Sequence, residues 1–141
     1  MHSYLIYQRP MDKQFQDELN GSALTPRKKA YFDLHMMPDG NAAEAAVENA
    51  ICHDLYRPTM LMIGHDKPSR ATLEYIFAEG NGHGTGEIDS HSLTKHSCYP
   101  SECSISVGDL VVSLDNNTTH VCMPMGWHEV CNITLNLNIG E

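Results

Sequence analysis

Hydrophobic and polar positions alternate between helical and strand periods along the chain. Tyr4-Leu5-Ile6-Tyr7 is a short apolar run ended by Pro10 and predicts a strand. Met11, Phe15 and Leu19 then recur at helical spacing before Asn20-Gly21, which predicts a short amphipathic helix. Thr25-Pro26 resembles a cap followed by proline at the first helical position. Beyond it, Ala30, Phe32, Leu34 and Met36 alternate with Lys29, Tyr31, Asp33 and His35. Tyr31, Leu34 and Met37 would equally line a helix, but the run of four alternations favours a strand ending at the turn Pro38-Asp39-Gly40.

The clearest helix follows. Asn41 with Glu44 approximates a capping box, and Ala43, Val47, Ala50, Ile51 and Leu55 form a buried stripe. Thr59 to Ile63, between Pro58 and Gly64, reads as a buried strand. Ser69 caps a second helix with Leu73, Ile76 and Phe77 on one face and Gly80 as its terminator. Residues 80–92 form a glycine-rich loop that is expected to be flexible. Gly80-x-Gly82-x-Gly84-x-Gly86 is not a phosphate loop, because it follows a helix and no Lys-Ser/Thr pair comes after it.

The C-terminal region is β. Gly108-Asp109 makes a turn, Leu110 to Leu114 is a strand, and Asp115-Asn116-Asn117 supplies a tight hairpin. Thr119 to Met123 returns as its partner, and Ile133, Leu135, Leu137 and Ile139 alternate with polar residues as a last strand. The pattern as a whole predicts an α+β fold in a single domain spanning residues 1–141. Two helices pack on an antiparallel β-sheet, and the C-terminal β-meander can curl into a small barrel.

Composition narrows the function more than it defines it. Hydrophobic residues make up 41% and charged residues 19% of the chain, as expected for a folded domain. The longest apolar run, Met60 to Ile63, is too short to cross a bilayer, and the start of the chain lacks the pattern of a signal peptide. A soluble cytoplasmic protein with no membrane contact is the expectation. The five cysteines are then reduced thiols. A net charge of -9 argues against nucleic acid, which needs clustered cations, and suits solubility or a basic protein partner.

Two groups of residues are candidates for chemistry or recognition. His96, Cys98 and Cys103 have zinc-like spacing, with four residues between the cysteines. They are candidate ligands for a zinc ion that would pin the loop, although a second close cysteine pair is missing. The alternative is two reduced thiols at a loop–strand junction. Met123, Met125, Trp127 and His128 form a candidate partner-binding patch around the chain's one tryptophan, because Met and Trp are over-used at interfaces. A cysteine-dependent enzyme is a further alternative. Cys52-His53 are neighbours that face different ways on a helix, and no orienting third group can be assigned, so no catalytic residue is named.

Ser104-x-Ser106-Val107-Gly108-Asp109-x-Val111, followed by Gly126-Trp127-x-x-Val130, resembles the C-terminal end of small uncharacterised proteins carried by phages and mobile elements. Leu73-Glu74-Tyr75-Ile76-Phe77, ending at Asn81, matches a helix that those proteins tend to carry shortly before. The likeness covers Leu73 to Val130 and departs in the His and Cys content of residues 83 to 103. It brings no reaction with it and no catalytic residues. It implies a genomic setting rather than a mechanism, one in which small acidic proteins often bind host machinery, including defence systems. The negative charge and the lack of a catalytic constellation make a non-enzymatic binding protein, acting on a host protein by occlusion, the leading expectation.

Overall fold

The computed structural model of the protein describes residues 1–10, 12–81, 92–97 and 104–131. Its centre is the first strand, β1 (His2–Gln8). Leu5 and Tyr7 face one side of the sheet and Tyr4 and Ile6 the other, and all four are almost fully buried. A strand buried on both faces needs cover on both, and the order of elements supplies it.

β2 (Arg57–Gly64) and β4 (Leu110–Ser113) flank β1, both antiparallel. β3 (Thr94–Ser97) lies outside β2, and β5 (Thr118–Cys122) and β6 (Trp127–Val130) follow β4. The order β3-β2-β1-β4-β5-β6 is an open six-stranded antiparallel sheet, so the expected barrel does not form among the described residues. The hairpin of β4 and β5 forms where expected, with Asn117 in the left-handed region at φ 55°.

Three helices cover one face: α1 (Lys13–Asn20), α2 (Pro26–Asp33) and α3 (Gly40–Cys52). Phe15, Leu34, Val47 and Leu55 join Leu5, Tyr7, Val112 and Val121 in that core. The other face is covered by α4 (Arg70–Gly80), where Leu73 and Ile76 pack with Tyr4, Ile6, Met60 and Met62. The architecture is α+β, with four helices rather than two among the described residues.

Several local expectations change. Of the segment expected as a strand at 29–36, residues 29–33 lie in helix α2 and 34–36 follow its end. The Thr25 hydroxyl accepts from the Lys28 amide at 3.1 Å, and Pro26 opens the helix. Ala30 in α2, Leu34 at its C-cap and Met37 just beyond are buried, whereas Phe32 and Met36 are exposed, so the apparent alternation comes from a helix and the turn that follows it. Asp39, not Asn41, caps α3 by accepting from the Ala42 amide at 2.9 Å. Gly80 does not terminate α4. It is the last helical residue and Asn81 caps the end; a Cβ at Gly80 would lie 2.4 Å from Cδ1 of Ile105, so the missing side chain leaves room for that contact. Met11, most of the glycine-rich loop, Cys98, Cys103 and the expected strand at 133–139 lie outside the described residues.

Candidate functional site

β6 starts at Trp127, directly opposite Cys122 of β5. Its short connection to β5 closes with a hydrogen bond from the Met123 amide to the Gly126 carbonyl at 2.9 Å. Gly126 sits at φ 84°, a conformation that favours glycine and sharpens the turn. The turn lifts Met125 into solvent, where it is 93% exposed. Trp127 is half-buried, with its ring edge-on to Phe77 of α4 at 6.5 Å between centroids and 83° between planes.

Trp127 therefore stands as a ridge between two depressions. The larger, of about 370 Å³, is lined by Glu74, Phe77, Cys122, Met123, Pro124 and Trp127, among others. The smaller, of about 300 Å³, is lined by Arg70, His120, Met125, Trp127 and Glu129, among others. Burial pushes the Cys122 thiol up to about 12, helped by the negative charges of Asp109 and Glu74. Burial holds the His120 imidazole below its usual value, against the opposing pull of Glu129, whose carboxylate is 3.9 Å away.

Of the four residues expected to form one patch, Trp127 lines one depression with Met123 and the other with Met125, Met123 also packs against the core under α1 to α3, and His128 is separated. Residues along a strand alternate in direction, so Trp127 faces α4 and His128 faces α3. The His128 ring lies against Gly40, where a Cβ would be 2.5 Å from Cε1, and its Nε2 is 3.8 Å from Glu44. Glu44 also accepts a hydrogen bond from the Cys131 amide at 3.1 Å. The His128–Glu44 contact joins α3 to the end of β6.

His96 is exposed on β3 opposite Leu61, while the other two expected zinc ligands, Cys98 and Cys103, lie outside the described residues. Among the described residues no group of three or more His, Cys, Asp or Glu is placed to hold a metal ion. Cys52, Cys122 and Cys131 are free thiols.

The sequence reading missed a buried polar network beneath the C-terminal hairpin. Asp109 is 1% exposed, and its Oδ1 is 3.3 Å from Arg9 Nη2. Its Oδ2 accepts from Gln8 Nε2 at 3.1 Å and from the Ser106 amide at 2.9 Å. Thr59 donates to Gln8 at 2.6 Å, and the Tyr56 hydroxyl donates to the Gly108 carbonyl at 2.7 Å. Gly108, at φ 94°, also permits the close approach of Arg9, since a Cβ there would be 2.4 Å from Nη1. The Gly108-Asp109 pair read as a turn in the sequence, and nothing in the spacing pointed to Arg9 a hundred residues earlier. The network ties the segment leading to the hairpin onto β1 and so fixes the base on which the tryptophan ridge stands. No family model, curated protein or solved structure matched the chain in comparisons with each.

Proposed function

We propose that the protein is a non-enzymatic binding protein that takes a basic, apolar-anchored segment of a partner protein across the Trp127 ridge. The observation that carries this reading is Met125, 93% exposed beside a half-buried tryptophan with a depression on either side. Large aromatic and thioether side chains at the centre of a contact supply most of its energy, and a shaped surface around them excludes water. The net charge of -9 favours a basic partner through long-range attraction.

The resemblance of residues 73–130 to phage-borne proteins supplies the setting for this reading: the partner is a host protein, such as a defence component, met in the host cytoplasm and blocked by occlusion. The test is site-specific photo-crosslinking in host lysate, with the crosslinker placed at Met125 and, as control, at Met36, which is also exposed. The expected result is one product specific to Met125, with the crosslinked partner peptide carrying Lys or Arg beside an apolar residue. The same products from both positions, or none from either, would reject the reading.

A further inference from the structure

The two depressions differ in charge. Arg70, His120 and Glu129 mix signs in the smaller one. In the larger, Glu74 is the only charged residue of the lining among the described residues, set with Phe77, Met123, Pro124 and Trp127. Glu74 is exposed on α4 and has no ion-pair partner among the described residues. Its charge nevertheless reaches into the depression, because it helps push up the thiol of Cys122 in the lining. A carboxylate without an ion-pair partner among the described residues, lining the same depression as a tryptophan, is a complementary environment for a planar cation. A guanidinium can stack on the aromatic face while its N–H groups reach the carboxylate, and an ammonium makes only the second contact as well. The depression, at about 370 Å³, is at the small end of the range for ligand pockets and accommodates one long side chain.

We infer that the larger depression is the specificity pocket of the surface and seats an arginine side chain of the partner between Glu74 and Trp127. This rests on the binding reading above and names the residue the partner must present. The neighbouring apolar residue of the partner then crosses the ridge toward Met125.

The probe is a short Gly-Ser peptide with a Leu-Arg-Leu core, compared with the same peptide carrying citrulline, which keeps the shape of arginine without its charge. Binding is followed through the indole N–H resonance of Trp127, the only tryptophan in the chain. The arginine peptide is expected to bind about tenfold more tightly than the citrulline peptide, and Glu74→Gln to reduce that ratio to below about twofold. Glu74 is exposed, so the variant leaves the fold intact. Equal affinities with clear indole shifts would overturn the arginine pocket and leave the binding surface standing. No indole shift with either peptide would overturn both.

Discussion

Acidification from pH 7 to pH 4 should stabilise the protein through Asp109, the reverse of the usual behaviour of a paired carboxylate. Asp109 is 1% exposed, and burial raises its pKa from 3.8 to about 6. Arg9, the Ser106 amide and Gln8 pull the other way without overcoming the loss of water. A buried pair whose single ion contact is 3.3 Å long returns less than its desolvation takes. The folded state therefore holds a proton on Asp109 up to about pH 6, while the unfolded chain releases it near 3.8. Because the folded state binds more protons in that window, its stability falls as pH rises through it. The stabilisation is fully present below 3.8 and is lost as pH rises through about 6. A gap of about 2 pH units corresponds to about 3 kcal/mol. Urea unfolding of the wild type and of Asp109→Asn at a series of pH values isolates this contribution, since other carboxylates act in both proteins. The stability of wild type relative to Asp109→Asn should increase by about 2 kcal/mol on going from pH 7 to pH 4, where the unfolded carboxylate is still partly ionised. A difference that stays flat, or that shrinks on acidification, would refute the reasoning and make the ion pair a net stabiliser.

Three other outcomes follow from the packing. Thr25→Ala should cost about 1 kcal/mol in chemical unfolding, because it removes the cap of α2 and the 3.0 Å bond to Glu18; an unchanged midpoint would argue against helix at this segment. Gly80→Ala should destabilise by about 1–2 kcal/mol despite alanine's better helix propensity, since the added Cβ would meet Ile105 at 2.4 Å; a more stable variant would show that Ile105 moves aside freely. In a Cys98→Ser/Cys103→Ser background, Cys52 and Cys131 should react quickly with a thiol reagent at pH 8, and Cys122, buried with its thiol pushed up to about 12, only on unfolding; three equal rates would contradict this placement.

Elements with one dominant signal were readable in the sequence. The Ser69 cap with Leu73 and Ile76, the alanine-rich α3, and the hairpin turning at Asn117 each carry their own local instruction. The segment at 29–36 was misread because exposed Phe32 and Met36 mimicked a strand's alternation, and only tertiary burial distinguishes them from Ala30 and Leu34. β3, Thr-Lys-His-Ser, has little apolar content and becomes a strand through pairing with β2, a partner that no local pattern names. Gly80 looks like a stop signal, but its absent side chain is used for close approach to Ile105. For the candidate surface, the sequence placed Met123, Met125 and Trp127 together because they share one turn. It could not show that His128 points through to the other face, or that α4 contributes Phe77 and Glu74 from fifty residues away.

Whether the partner sits on the Trp127 ridge is decided by the calorimetric affinity of the crosslinked partner for four alanine variants whose fold is verified by urea unfolding. Trp127→Ala and Met125→Ala should each weaken binding by about tenfold or more. Phe32→Ala and Met36→Ala, at exposed apolar positions on and just beyond α2, should bind like wild type. Unchanged affinity at Trp127 and Met125, or a loss confined to Phe32 and Met36, would contradict the account and move the contact to the opposite face of the sheet.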